Sequence, residues 1–313
     1  MTGSHSVQCP PELLEAARGA GPLRTAVVNA GNAVVMESVR DAVEAGLIEP
    51  LLIGDPEDIK AHGAALGFDA ERFTLDAAAD EESAARKGAQ HAAAGRVGAI
   101  MKGHVHTDVF MRVLLDKQYG LRTGRRLSHV FYMARPGDHA PLLITDGALN
   151  THPDLETKKA ILQNAVELAH ALGITVPHVA LLSATEEPSD AIPSSVEASQ
   201  LCAWARDNLA GAEVEGPLAF DLAVSPEAAR IKGVTAPVAG RADVILVPDI
   251  VSGNALFKMM VHYMGACAAG IVLGARVPIL LTSRADPPAA RLASAALAVI
   301  MDKASRGGPG AAA

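Results

Sequence analysis

The chain has 313 residues, of which 50% are hydrophobic but only 3% are aromatic, and its formal net charge at pH 7 is -8. A chain of this length buries a substantial core and is long enough for roughly two domains. The acidic balance argues against nucleic-acid binding, which requires concentrated positive charge to replace phosphate counterions. The apolar content comes mainly from Ala, Val, Leu, Ile and Gly, which predicts an α/β fold with helices packed on parallel strands.

The cysteines and the N-terminus indicate the compartment. Cys9, Cys202 and Cys267 are far apart and lack C-x-x-C spacing, so we expect no disulfide framework and a reducing, cytoplasmic location. The first residues contain no basic segment followed by an apolar stretch, and no apolar run reaches the ~18 residues of a membrane span. We therefore expect neither export nor membrane insertion.

From residue 25 onward, short β-branched or Leu-rich runs alternate with Ala- and Leu-containing segments of helical spacing. This alternation is typical of βαβ units, and several runs are almost continuously apolar, as strands buried on both faces of a parallel sheet should be. The predicted strands are Thr25–Asn29, Glu49–Ile53, Val97–Met101, His129–Met133, Leu142–Thr145, Val179–Ser183, Val244–Val247 and Val277–Thr282.

Capping residues mark the starts of several predicted helices. Apolar residues at helical spacing predict a helix from Asp154 to Leu172, which Gly173 can terminate. Ser194 and Glu197 have the spacing of a capping box. The run Ser225-Pro226-Glu227 places a capping hydroxyl, a proline and an acid in the order that a first helical turn prefers.

Ligands of open parallel sheets collect beyond the carboxyl ends of the strands, and the first polar loop at such a position is MKGHVHTD. Gly103 permits close backbone approach, and Lys102 with the following helix N-terminus can hold an anion. His104 and His106 form an H-x-H pair, but no third ligand of convincing spacing follows, so we expect no metal. The other interpretation is that one histidine is hydrogen-bonded within the loop and the other lines the site.

The second loop runs from Val247 to Asn254. Backbone amides would converge at Gly253 and Asn254, and Lys258 lies one turn further along the same helix face. This arrangement favours a cradle for a phosphate or an acyl carbonyl, although an ordinary loop also uses Asn and Gly.

In the third loop, a strand delivers Ser283 and Arg284 just before Asp286-Pro287 begins the last long helix. A hydroxyl, a guanidinium and a positive helix end then converge, which predicts an anion site. A surface ion pair between Asp286 and Arg284 is the alternative. The cluster Arg122, Arg125 and Arg126 is either a solvated loop or a device that draws an anionic ligand into a cleft.

Sequence motifs of several common enzyme classes are missing from the chain. It contains no G-x-x-x-x-G-K-[ST] loop, no G-x-S-x-G elbow and no G-x-G-x-x-G after a strand. These absences argue against nucleotide triphosphatase, α/β-hydrolase and typical dinucleotide-binding functions.

At its three polar loops the chain resembles the phosphate acetyl/butyryltransferase family, and the likeness extends from about residue 25 to residue 303. Several long segments match in the correct order, which is more specific than one short motif. They are MKGHVHTD, GLRTGRRLSHVFYM, ITDGALNTHPDLETKKAILQNAV, EGPLAFD, SPEAARIKGVTAPVAG, ADVILVPDIVSGNALFK and GARVPILLTSRAD.

This resemblance implies an isopropylmalate-dehydrogenase-like arrangement of two doubly wound α/β domains with a cleft between them, usually in a homodimer. The first domain would comprise residues 1–140 and 286–313, and the second residues 141–285. The implied reaction converts acyl-CoA and inorganic phosphate to acyl phosphate and coenzyme A, with coenzyme A as a substrate and no separate cofactor. The alternatives are an NAD-dependent oxidative decarboxylase on the same fold and a non-catalytic sensor of acyl-CoA or acyl phosphate.

By the same resemblance, Ser283 and Arg284 correspond to the family's active-site pair, with the arginine holding the phosphate or the developing oxyanion. The acetyl branch carries an aspartate seven residues beyond this serine, where this chain has Ala290, and the wording TSRAD is closer to the butyryl branch. The general base is therefore open between Asp286, His106 and a substrate phosphate oxygen, and the acyl length is also open. The expected substrate-binding residues are Lys102, His106, Thr107, Arg122, Arg125, Ser252, Asn254 and Lys258.

Overall fold

The structure, a computed structural model, describes residues 7–137, 139–282 and 286–307. Its strands are β1 (Leu23–Val28), β2 (Ile48–Gly54), β3 (Thr74–Ala77), β4 (Ala99–Lys102), β5 (Ser128–Ala134), β6 (Leu142–Thr145), β7 (His178–Leu182), β8 (Glu213–Leu218), β9 (Val244–Leu246), β10 (Cys267–Leu273) and β11 (Ile279–Leu280). Its helices are α1 (Pro11–Ala17), α2 (Ala33–Glu44), α3 (Pro56–Ala65), α4 (Glu81–Ala93), α5 (Thr107–Leu114), α6 (Leu155–Ala171), α7 (Pro193–Asn208), α8 (Phe220–Val224), α9 (Pro226–Lys232), α10 (Ile250–Met264) and α11 (Pro288–Gly307).

Contacts along the chain divide the protein into two compact units. Unit 1 is Met1–Arg125 with Ala269–Ala313, and unit 2 is Arg126–Ala268. These divisions lie earlier in the chain than the predicted boundaries after residues 140 and 285. The segment between β5 and β6, which the sequence analysis interprets as a domain boundary, joins two antiparallel strands of unit 2.

In unit 1 the strand order is β3-β2-β1-β4-β11-β10, and neighbours are parallel except for the antiparallel pair β10 and β11. The chain adds β2 and β3 on one side of β1 and then crosses to the other side with β4. The carboxyl ends of β1 and β4 therefore form a topological switch point, where open α/β sheets bind ligands. Helix α2 packs against α3 and α11, whereas α4 packs against α5, so the helices form two groups, as in a doubly wound fold.

In unit 2 the strand order is β5-β6-β9-β7-β8, and only the pair β5 and β6 is antiparallel. Helix α6 packs against α7, and α10 packs against β5 and β6. Met260 anchors α10 in a buried cluster with Met133, Ile144 and Ile245. At the start of α10, Ile250 N donates to Thr151 O at 3.1 Å, which ties this end of the helix to the loop after β6.

Each of the eight predicted strands overlaps a strand of the structure, and β6 has the predicted bounds. The sequence analysis missed β3, β8 and β10. Ser225 caps α9 as predicted, since its Oγ accepts from Ala228 N at 3.2 Å. Asp154, the predicted start of the helix, caps α6 by accepting from Thr157 N at 2.8 Å. The predicted capping box of Ser194 and Glu197 is wrong, because α7 already begins at Pro193 and its N-cap is Ile192.

None of the helices within the described ranges combines the length and the apolar character that crossing a membrane requires.

Candidate functional site

A small pocket, with a cavity volume of about 30 Å³, opens in unit 1 where the carboxyl ends of β1, β4 and β11 meet. It therefore lies at the topological switch point of this sheet. Polar side chains from four segments line it, together with an apolar wall from α2. The polar lining residues are Asn32, Ser38, Lys102, His104, Thr282 and Arg291.

The loop after β4 is fastened to the end of β1 by backbone hydrogen bonds. Gly103 N donates to Val28 O at 2.9 Å, and His104 N donates to Asn29 O at 2.9 Å. Asn29 has a φ of 57° and its side-chain amide donates to His104 O. A Cβ on Gly103 would lie 2.3 Å from Val28 O, so only glycine permits this approach. The loop thus places buried Lys102 and the partly exposed His104 at the pocket.

His106 is the N-cap residue of α5, and Glu81 of α4 holds it in place. The backbone N–H of His106 donates to Glu81 Oε2 at 2.9 Å, and its Nδ1 lies 2.8 Å from the same oxygen. The backbone hydrogen bond from His106 is the main reason that the pKa of Glu81 is lowered. His106 is thus the loop-bonded histidine and His104 the lining one, while Thr107 begins α5 at an exposed position.

The described residues also bear on the predicted absence of a metal site. Across residues 7–137, 139–282 and 286–307, no group of three or more His, Cys, Asp or Glu side chains is arranged to hold a metal ion.

Ser283 and Arg284 lie outside the described residues, but both flanks of their loop are described. On one side Thr282 lines the pocket, and on the other Asp286 O accepts from Arg291 Nη1 at 2.7 Å. Arg291 is a residue that the sequence analysis missed. The available signal was a single cation in the otherwise small and apolar stretch AARLASAALAVI of α11.

Arg291 is buried, with only 7% of its side chain exposed. Its Nη2 donates to Glu37 Oε2 of α2 at 2.6 Å, whereas its Nε is buried without a hydrogen-bond partner. Leaving such a donor unsatisfied costs about 1–3 kcal/mol, so this nitrogen retains one hydrogen bond to donate. The neighbouring Ala290 is 2% exposed, so the position that carries an acid in the acetyl branch faces the interior here.

The arginine cluster after η-helix Lys117–Tyr119 is partly tied to the sheet. Arg122 forms an isolated antiparallel bridge with Ala275, and Thr123 Oγ1 donates to Gly274 O at 2.7 Å. Arg122 is exposed and Arg125 half-buried, and neither lines the pocket described above. Their predicted contacts with substrate phosphates stay a prediction.

In unit 2 the chain beyond β6 turns around the buried carboxylate of Asp146. This carboxylate accepts from Ala148 N at 3.0 Å, from Leu149 N at 2.9 Å and from Asn150 Nδ2 at 2.6 Å. The turn touches the start of α10 through two glycines, since a Cβ on Gly253 would lie 2.7 Å from Gly147 Cα.

The first turn of α10 contains the predicted cradle residues, two of which already make internal contacts. Asp249 caps the helix by accepting from Ser252 N at 2.9 Å and from Ser252 Oγ at 3.0 Å. Burial acts to raise the pKa of Asp249, but these hydrogen bonds lower it overall. Asn254 Nδ2 donates to Gly147 O at 3.4 Å, whereas Lys258 is exposed one turn later. Ser252 and Asn254 thus shape this loop, and Lys258 supplies its accessible charge.

His129 lies beside Asp146 in the interior of unit 2. Burial of its ring lowers the pKa of His129 to about 4, although the nearby Asp146 charge acts in the opposite direction. Its Nδ1 is buried without a hydrogen-bond partner. The histidine is therefore a neutral core residue at pH 7.

A further polar group that the sequence analysis missed surrounds Lys158 of α6. Its ammonium is buried and paired with the Glu197 carboxylate of α7. The same surface depression is lined by Ser194, Pro248 and Asp249. This group adjoins the start of α10 and balances the buried lysine charge within unit 2.

The family model described as "Phosphate acetyl/butaryl transferase" matches residues 75–299. The chain belongs to this family. It is 45% identical over 289 residues to the phosphate acetyltransferase of Rhizobium meliloti, covering 92% of each chain. It is 38% identical over 279 residues to the phosphate butyryltransferase of Clostridium acetobutylicum, covering 89% of this chain and 93% of that protein.

Solved structures show the same relationship. The branched-chain phosphotransacylase of Enterococcus faecalis superposes with a TM-score of 0.78 at 28% identity, covering 90% of this chain and 99% of that one. A 4-hydroxythreonine-4-phosphate dehydrogenase from Burkholderia phymatum matches with a TM-score of 0.54 at 13% identity over 90% of this chain and 98% of that one. The latter likeness concerns the fold alone, and it confirms the predicted relation to dehydrogenase-like α/β proteins.

Proposed function

We propose that this protein transfers a short acyl group reversibly between coenzyme A and inorganic phosphate. The observation that carries the proposal is family membership over nearly the whole chain, with both acetyl and butyryl transferases among relatives at 38–45% identity. In the forward direction a phosphate oxygen bonds to the acyl carbon, the carbon–sulfur bond breaks, and the sulfur leaves as the thiolate of coenzyme A. The reverse direction needs a group that accepts the thiol proton.

We propose direct transfer, with coenzyme A as a substrate and without a separate cofactor. Lys102 and the start of α5 would attract the anionic reactants, and Ser283 with Arg284 would stabilise charge on the carbonyl oxygen. Among the base candidates, His106 has the best-defined setting. When its Nδ1–H donates to Glu81, 2.8 Å away, the exposed ring presents Nε2 as a proton acceptor.

The proposal is tested by following acyl-phosphate formation from acetyl-, propionyl- and butyryl-CoA with inorganic phosphate, and the reverse reaction with free coenzyme A. We expect turnover with at least one of the three thioesters, and the ratio of kcat/KM values gives the acyl preference. One methylene contributes about 1–3 kcal/mol of discrimination, so preferences of tenfold or more are measurable. Binding of acyl-CoA without turnover in either direction would contradict the proposal and favour a sensor.

We further propose that the protein is a cytoplasmic homodimer. Cys9, Cys202 and Cys267 all lie within the described ranges and no disulfide joins them, which suits a reducing compartment.

Support for the dimer comes from an exposed apolar stripe on α10, which we call the α10 stripe. Its members follow each other at four-residue spacing, and Val251 and Tyr263 are 69% and 90% exposed. A self-complementary helix face of this kind suits a two-fold interface with a second copy of the chain. The stripe consists of Val251, Ala255, Met259 and Tyr263.

A further inference from the structure

The pocket of unit 1 combines several features that favour an anion. It lies beyond the carboxyl ends of β1 and β4, at the switch point of the sheet. The 12-residue helix α2 begins at its edge with Asn32 as the N-cap, so the positive end of a helix dipole points to this region. Two cationic side chains, Lys102 and Arg291, line the same space.

Arg291 lines the pocket, and two hydrogen bonds hold its guanidinium in place. Nη1 donates to Asp286 O at 2.7 Å and Nη2 to Glu37 Oε2 at 2.6 Å, so the main chain before α11 and a side chain of α2 hold two of the three nitrogens. The remaining nitrogen, Nε, is buried without a partner, and the side chain is more than nine-tenths buried. A planar guanidinium held in this way is prepared to donate one more hydrogen bond to an oxygen of an anion.

We propose that this pocket binds a phosphate group of a substrate, with Arg291 Nε and the Lys102 ammonium as donors. The inference deepens the proposed function and rests on it for the identity of the ligand. The phosphate chemistry is shared by inorganic or acyl phosphate and by the phosphates of coenzyme A. Kinetics with each substrate varied in turn distinguishes these sources.

The test uses Arg291→Gln and Arg291→Lys, with Arg306→Gln as a control on the same helix, where Arg306 forms an exposed pair with Asp302. We expect Arg291→Gln to raise one KM at least tenfold, Arg291→Lys to raise it less, and Arg306→Gln to leave it unchanged. A higher KM for phosphate and acyl phosphate assigns the pocket to the transferred group. A higher KM for coenzyme A and its thioester assigns it to the nucleotide substrate. Both results support the phosphate site.

A purely structural role of Arg291 gives a different pattern. Glu37→Gln removes the negative charge beside Nη2 and leaves the lining residues of the pocket unchanged. Equal losses of kcat and Tm in Glu37→Gln and Arg291→Gln, with every KM unchanged, would overturn the phosphate site.

Calorimetry separates this inference from the proposed function. If wild-type protein binds inorganic phosphate or coenzyme A and Arg291→Gln binds the same ligand at least tenfold more weakly, the site stands even when no turnover is found. Equal affinities of the two proteins for both ligands overturn the site even when the wild-type enzyme is active.

Discussion

His129 and Lys158 are both buried in unit 2, but only Lys158 has a partner of opposite charge in contact with it. The imidazole can lose its proton, so burial leaves it neutral with a pKa of about 4. Lys158 is also buried, but it is paired with the Glu197 carboxylate. A buried pair of this kind is costly to break from one side, because the remaining charge then has no partner.

The lowered pKa of His129 makes stability depend on pH. Below pH 6.5 the unfolded chain takes up a proton on this residue, whereas the folded protein does so only near pH 4. Stability is therefore complete above pH 6.5 and falls as the pH is lowered toward 4, by about 2 kcal/mol at pH 5 from this residue. Urea unfolding at pH 7 and pH 5 should show a smaller pH-dependent loss in His129→Gln than in wild type.

His170→Gln, at an exposed position of α6, is the control for the pH experiment. It should keep the wild-type pH dependence. If the difference in unfolding free energy between pH 7 and pH 5 is the same in His129→Gln as in wild type, this imidazole does not contribute to the pH dependence of stability.

The strands differ in how clearly the local sequence marks each of them. The interior strands are apolar on both faces, so composition alone predicted them. The missed strands lack that signal: β3 is an exposed edge strand, β8 contains the pair Gly216-Pro217, and β10 begins with the small residues CAAG. Their strand conformation is set by neighbouring strands rather than by local propensity.

Close contact between elements is likewise invisible in local sequence. The meeting of Gly147 and Gly253 joins residues that are over 100 positions apart, and Gly253 was predicted only as an amide donor. Predicting the contact would have required the position of α10 relative to the turn at Asp146.

This contact predicts the sign of a substitution in α10. Alanine normally stabilises a helix interior relative to glycine by about 1 kcal/mol. In Gly253→Ala, however, the new Cβ would lie 2.7 Å from Gly147 Cα and 3.1 Å from Asp146 O, both of them backbone atoms. Because such overpacking costs about 1–3 kcal/mol, we expect a net loss of stability in thermal or urea unfolding. A higher Tm for Gly253→Ala would show that the turn and the helix move apart easily.

The fold class, the family, and the loops after β4 and β9 were all predictable from the sequence of the whole molecule. Arg291 was not predicted, because the position of its guanidinium depends on a hydrogen bond to Glu37, which lies 254 positions away in the chain. The two compact units divide after Arg125 and Ala268, whereas the predicted boundaries follow residues 140 and 285.

The α10 stripe leads to a prediction about assembly. Met259→Glu and Tyr263→Glu place charge in the proposed two-fold interface, where burial of an unpaired carboxylate is strongly unfavourable. Light scattering coupled to gel filtration should give twice the chain mass for wild type and the single-chain mass for either variant.

Ile231→Glu is the matched control, because Ile231 of α9 is 68% exposed but lies outside the stripe. It should retain the mass of the wild-type protein. Wild-type protein with the mass of one chain, or equal dissociation of the control, would be inconsistent with an interface on α10.

The discontinuous path of unit 1 bears on how the protein is made. Unit 2 is a continuous stretch, so all of it has been synthesised once Ala268 has been added. Unit 1 lacks β11 and α11 until all of unit 2 has been synthesised, and α11 packs against both α1 and α2. Before α11 is synthesised, α1 and α2 therefore expose the apolar face against which this helix later packs. A chaperone that binds this face would prevent aggregation of the incomplete unit.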